Sequence, residues 1–287
     1  MIRPFTRTDL DRISGLQPDG WYDVTPVFRF YVDVPFCLPF KIEDESGITA
    51  LGCAILHLET AWLAHIIVAP DARRKGLGRT MTRALIHCAE QQGRATQLLI
   101  ATEMGAPLYA SLGFRRTCDY GFFRLREPVA ETLPGHRPED GPEHRPEAVS
   151  THLPDSVRPL EAADIAPILA LDLGATGENR ESLLRHQGGR GWVYVAPNSG
   201  KVHGFYLPEL GDGLIVADDD EAGVELMRVR MMHTSGRPAL PVGNGTAVGF
   251  LAASGYELER TAPRMVRGGE DSLNHGMVFN RVGGNLG

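Results

Sequence analysis

A turn rich in arginine and glycine, set between an apolar strand and an amphipathic helix, constrains this chain more than any other segment. Trp62-Leu63-Ala64-His65-Ile66-Ile67-Val68 is a short apolar run of the kind that fills a buried sheet. Ala69 to Ala72 follow, and then Arg73-Arg74-Lys75-Gly76-Leu77-Gly78-Arg79. From Leu77 to Gln92, Leu77, Met81, Leu85 and Cys88 recur at helical spacing. The first N–H groups of a helix have no internal partner, the dipole there is positive, and glycine admits an anion close to the backbone. A strand feeding a helix through this turn is therefore suited to grip a phosphorylated ligand. Basic side chains at a helix start oppose the dipole, so a purely structural role explains them poorly.

Arg73-x-x-Gly76-x-Gly78 resembles the acyl-CoA pyrophosphate loop of the GCN5-related N-acetyltransferase (GNAT) superfamily. Downstream, Ala106-Pro107-Leu108-Tyr109-Ala110-Ser111-Leu112-Gly113-Phe114 is similar to a second family segment, in the family's order. The resemblance implies that main-chain N–H groups of Arg74, Lys75, Gly76, Leu77, Gly78 and Arg79, in the loop opened by Arg73, hold the pyrophosphate of acetyl-CoA. It implies that the backbone of Ile66, Ile67 and Val68 pairs with the pantetheine arm, and that Tyr109 stands beside the thioester sulfur as general acid. A phenol with an ordinary pKa near ~10 carries its proton at neutral pH and can give it to a departing thiolate.

The general base is less defined. Glu59, just before the strand, and His65, within it, are the candidates, and Asp23 and Glu103 are weaker ones. In the family the region after the first helix helps form the acceptor wall. Trp21, Tyr22 and Asp23, together with Trp62, are accordingly the candidate acceptor contacts. The surrounding aromatics, Phe28, Phe30, Tyr31 and Phe36, would equally fill a core layer.

The 287 residues are comfortable for two domains. Residues 128–156 are studded with Pro134, Pro138, Pro142, Pro146 and Pro154 among charged residues, and read as a linker. The flanking halves echo each other. Ile2-Arg3-Pro4 before Asp9-Leu10 recurs as Val157-Arg158-Pro159 before Asp164-Ile165, and Tyr109–Phe114 recurs as Leu251–Tyr256. Two copies of one fold follow: a catalytic domain over 1–127, a degenerate copy over 157–270 and a tail over 271–287. Each is expected to be α/β (α+β), a mixed and mostly antiparallel sheet flanked by helices. In the first copy a short helix is expected near Asp9–Leu16 and a strand at Phe28–Val32. Where the first copy has its basic loop, the second has Asp218-Asp219-Asp220-Glu221, which repels a pyrophosphate but suits a helix start. One intact and one degenerate copy resembles the bacterial tandem arrangement of the superfamily, as do Thr60-Ala61-Trp62-Leu63 and the close at Arg264–Gly268.

A net charge of −7 argues against nucleic acid as a partner and leans faintly toward cationic substrates. The four cysteines show no C-x-x-C pairing, so no metal is expected and reduced core thiols are. No apolar run is long enough to cross a membrane, and the start Met1–Arg7 does not read as a secretory signal, so a cytoplasmic protein is expected. A G-x-x-x-x-G-K-[ST] run is absent, which disfavours a nucleotide site, and the absence of G-x-S-x-G favours direct transfer over a covalent intermediate. The expected function is an acetyl-CoA-dependent N-acetyltransferase acting on a primary amine of a small molecule or peptide. The alternative is a non-catalytic acyl-CoA-binding or regulatory module.

Overall fold

The computed structural model describes residues 1–17, 23–126, 153–186 and 189–283. The first half runs β1 (Ile2–Pro4), a 3-10 turn at Arg7–Arg12, α1 (Thr25–Asp33), β2 (Cys37–Asp44), β3 (Gly47–Leu56) and β4 (Thr60–Val68). It continues through α2 (Leu77–Gln91), β5 (Thr96–Ile100), α3 (Ala106–Ala110) and β6 (Arg115–Leu125). The second half runs β7 (Val157–Pro159), α4 (Ile165–Thr176), α5 (Glu181–His186), β8 (Trp192–Val195), β9 (Val202–Leu207) and β10 (Leu214–Ala217). It ends with α6 (Asp220–His233), β11 (Ala239–Pro241), α7 (Gly245–Ala253), β12 (Tyr256–Arg267) and β13 (Val278–Asn280).

β3 is buried almost throughout and β4 over most of its length, which is why both read as near-continuous apolar runs. A strand covered on both faces has no polar side to alternate with. The α2 face of these strands packs Ala54 and Leu63 against Met81 and Leu85. The other face gathers Phe28, Leu51, Trp62 and Ile67 into one apolar cluster with Ile168, Leu183, Phe205 and Val282 of the second half. The two halves thus share a core.

Two local expectations are corrected. Phe28–Val32 lies inside α1, not in a strand. Pro26 sits in the first turn, and Val24, Phe28 and Tyr31 turn inward at a helical spacing of four and three residues. The aromatic and β-branched content of the segment suggests a strand, and burial of one helical stripe overrides it. The helix expected near Asp9–Leu16 is only the 3-10 turn Arg7–Arg12, started by a Thr6–Asp9 capping box.

The larger correction is topological. One sheet has the order β1-β2-β3-β4-β5-β12-β6-β11, and the other β13-β10-β9-β8-β7. Only β4 and β5 pair in parallel; every other described pair is antiparallel. β12 of the second half lies between β5 and β6, and β6 lies between β12 and β11. In each half a short strand (β5, β11) leads through a helix into a long one (β6, β12). Each long strand is paired to the short strand of the other half. Cuts at 127 and 157 therefore separate segments, not sheets. Nor is 271–287 merely a tail, since β13 pairs with β10 and Phe279 is fully buried. Most of the proline-rich stretch, 127–152, lies outside the described residues.

Candidate active site

β4 and β5 pair over only three residues, Thr60 with Thr96, Ala61 with Gln97 and Trp62 with Leu98. Beyond Trp62, β4 stays with β3 as far as Val68, while β5 is held by β12 as far as Ile100. The central strands part into a fork whose open end faces the Arg73–Arg79 loop. Leu63 to Val68 present to the gap a strand edge that β5 does not pair. An extended ligand can add main-chain hydrogen bonds to such an edge.

At the open end, Arg74 has φ 60° and Gly76 φ 81°, two left-handed residues that reverse the chain into α2. The first α-helical bond of α2 runs from Thr80 N to Gly76 O at 3.0 Å. The amides of Leu77, Gly78 and Arg79 precede it and have no acceptor within the helix. Arg74 and Lys75 are exposed, whereas Arg73 folds back and donates from Nε to the Val68 carbonyl at 3.3 Å. Arg79 Nη2 donates to Ser111 Oγ at 2.9 Å, fastening the segment after α3 to the loop.

That fastening brings Tyr109 to the fork. Its ring is half-buried and, like Ile66, Val68, Leu77 and Leu112, packs against the apolar cluster of Ala54, Leu63, Met81 and Leu85 on the α2 face of the sheet. Burial pushes its pKa up to about 12, so the phenol holds its proton across the physiological range.

His65 lies on the opposite face. Pairing between β3 and β4 jumps from Leu51–Ile67 to Cys53–Ala64, leaving Gly52 opposite both His65 and Ile66. This bulge places His65 at φ 45°, an uncommon conformation for a residue with a side chain, and shifts the alternation of β4 by one. Ile66 and Val68 consequently point toward α2, and the His65 ring toward α1. There Nδ1 hydrogen-bonds the Tyr31 hydroxyl at 2.7 Å, with Phe28 edge-on at 6.2 Å.

Burial lowers the His65 pKa from 6.5 to about 4. Because the folded pKa lies below the unfolded one, the neutral ring's contribution is complete above about pH 6.5 and is lost as pH falls toward 4. His65→Gln is expected to remove about 2 kcal/mol of this acid sensitivity. Urea unfolding at pH 7.5 and 4.5 measures it: the gap between the two pH values should narrow in the variant.

Two of the sequence candidates are not at the fork's gap. Glu59 is exposed in the turn before β4, at the closed end of the fork. It stands six residues from His65, or about 20 Å along an extended strand. Trp62 is fully buried, and its indole N–H donates to Glu178 Oε2 at 2.8 Å. It is a core residue joining the two halves and has no surface to offer an acceptor. Asp23 is exposed at the entry to α1, where Oδ1 accepts from the Thr25 amide (3.0 Å) and hydroxyl (2.7 Å). That carboxylate serves the helix start. Trp21 and Tyr22 lie outside the described residues.

Residues 36–116 match the family model described as an acetyltransferase (GNAT) domain. This range contains the fork, the loop and Tyr109. The match assigns an acetyltransferase (GNAT) domain to residues 36–116 within the N-terminal half. Over 80 residues it is 36% identical to the [ribosomal protein bS18]-alanine N-acetyltransferase of Escherichia coli K12, covering 27% of this chain and 54% of that protein. The chain thus spans about half the length of the curated relative. A putative acetyltransferase from Pyrococcus horikoshii has the same fold along nearly the whole chain, with a TM-score of 0.73 at 18% identity, covering 98% of this chain and 93% of that one. A tandem GNAT protein from the clavulanic acid biosynthesis pathway aligns at a TM-score of 0.56 and 12% identity, over 96% and 99%. The fold is therefore that of GNAT proteins from end to end.

The second GNAT-like half differs at the matching place. β10, the counterpart of β4, pairs with β9 on one edge and β13 on the other. The strand edge left open in the first half is here filled by the chain's own C-terminal strand. A Cβ on Gly223 would stand 2.1 Å from the Phe279 ring, so only glycine lets α6 close over this strand. Asp219 Oδ1 accepts from Ala222 N at 3.0 Å, occupying one amide of the α6 start. Carboxylates and a filled edge both oppose an acyl-CoA at this position.

Among the described residues there is no group of three or more His, Cys, Asp or Glu side chains able to hold a metal, and no helix long and apolar enough to cross a membrane.

Proposed function

We propose that the chain is an acetyl-CoA-dependent N-acetyltransferase with a single active site, in the fork of its N-terminal half. One observation carries the reading: the open edge of β4 runs directly into a helix start whose first amides have no acceptor within the helix, with a protonated, half-buried tyrosine beside both. The edge suits a pantetheine arm, and the loop suits a diphosphate.

In the reaction, the amine lone pair attacks the thioester carbonyl carbon. The C–N bond forms, the C–S bond breaks, and the departing thiolate takes the Tyr109 proton. Tyr109 and His65 lie on opposite faces of β4, so the amine enters from the α1 side and the sulfur leaves on the α2 side. Once bonded to carbonyl carbon, the nitrogen is far more acidic than a free ammonium, so a weak base such as His65 suffices to accept its proton. The amine itself enters unprotonated.

The acceptor is an amine of a small molecule or peptide. The Escherichia coli relative is named for an alanine of a ribosomal protein, which places peptide α-amines in the test set. The four cysteines are free, which fits a cytoplasmic site of action. Free-thiol release from acetyl-CoA, followed with amino acids, polyamines, lysine peptides and peptides with N-terminal alanine, tests the reading. Saturable release with at least one of them is expected. Coenzyme A binding without turnover across the whole panel would point instead to the non-catalytic module.

A further inference from the structure

We propose that Glu178, in the C-terminal half, is a positioning residue for the groove of the N-terminal half, its carboxylate setting the joint at which β4 and β5 diverge. The inference rests on reading that fork as the acetyl-CoA groove. Glu178 Oε2 accepts from Thr60 Oγ1 at 2.7 Å and from Trp62 Nε1 at 2.8 Å. Thr60 and Trp62 are two of the three β4 residues that pair with β5. The other oxygen, Oε1, accepts from Arg264 Nη2 at 3.2 Å. Arg264 lies on β12 opposite Ile100 of β5, and its guanidinium sits 4.8 Å from the centre of the Trp62 ring. One carboxylate thus ties the β4 arm of the fork to the strand that carries the β5 arm.

Three residue pairs of parallel ladder make a short joint, and a buried, fully bonded ionic bracket stiffens it. Both ends of the bracket are held. Arg264 Nε and Nη2 also donate to Asp271, the nearest contacts at 3.0 Å. Behind Glu178, its own amide donates to Thr176 Oγ1 at 3.1 Å, and Arg180 forms a two-pronged pair with Asp172 at 3.0 and 2.5 Å. The backbone adds a further tie, from Leu58 N to Asn179 O at 3.2 Å. The second half, whose own β10 edge is filled by β13, therefore shapes the groove of the first.

The test compares Glu178→Gln and Glu178→Ala with Leu226→Ala, a core truncation in α6 remote from the fork. Coenzyme A affinity by calorimetry and KM for acetyl-CoA are read beside the melting temperature. Glu178→Ala is expected to weaken coenzyme A at least tenfold and to raise KM in step, with Glu178→Gln between it and the wild type. Leu226→Ala should lower the melting temperature yet keep affinity within twofold. Wild-type affinity in both Glu178 variants, or equal weakening in Leu226→Ala, overturns the proposal. If the Glu178 variants do not fold, Thr60→Val removes one bond to the same carboxylate; it should bind coenzyme A severalfold more weakly, and unchanged affinity overturns the proposal. Failure of the wild-type protein to bind coenzyme A is a different result, which removes the groove reading itself.

Discussion

Tyr109→Phe should lower kcat by about 10²–10⁴-fold while leaving the affinity for coenzyme A within about twofold, the range expected when a positioned general acid is lost but binding is not. Phenylalanine keeps the ring that packs against the apolar cluster under α2 and meets Phe114 at 6.0 Å, so fold and groove should persist. Only the proton for the departing sulfur is lost. The wild-type pKa, pushed up to about 12, adds a second expectation: Tyr109 should impose no alkaline limb on kcat below about pH 11. Stopped thiol-release assays over pH 6–10, run beside calorimetry, check both. Equal activity in the variant would remove Tyr109 from the chemistry, and a matched loss of affinity would make it a binding residue instead.

Separating the chain into residues 1–126 and 153–287 should abolish folding of both pieces. Without β12, β5 loses its partner along Gln97–Ile100, and β6 loses its neighbour from Arg115 to Leu125. The second piece would expose β12, and β11 would lose β6. The apolar cluster shared by Trp62, Ile67, Ile168 and Val282 would be cut in two. Unpaired edges and exposed cores of this kind aggregate rather than stand alone. Co-expression of the two pieces should restore a soluble complex with one cooperative unfolding transition. A cooperative melt by residues 1–126 alone would show that the exchanged strands are dispensable.

The strand, loop and α2 were legible because each signal is local: an apolar run, a basic glycine turn and a helical stripe from Leu77 to Cys88. The echo between halves was legible for the same reason. What escaped is non-local. Nothing near Tyr256–Arg267 says that this strand will lie against β5 instead of within its own half, because strand pairing is decided by long-range packing. Phe28–Val32 reads as a strand by composition, and α1 becomes evident only once Val24, Phe28 and Tyr31 are seen to share an inward stripe. Among carboxylates, Glu59 stands next to β4 in sequence, whereas Glu178 meets β4 only through the folded chain. In sequence, Glu178-Asn179-Arg180 reads equally as a segment that reaches across to the first half or as a helix start, and the folded chain decides for the first, with Glu178 bonded to β4.

Titration of the whole chain with coenzyme A tests most directly whether the amides between Arg74 and Arg79 clasp a diphosphate. With β13 filling the corresponding edge of the second half, one molecule should bind per chain, with measurable heat and a rise in melting temperature that grows with ligand concentration. No heat and no shift at millimolar coenzyme A would contradict the assignment of this fork as an acetyl-CoA site.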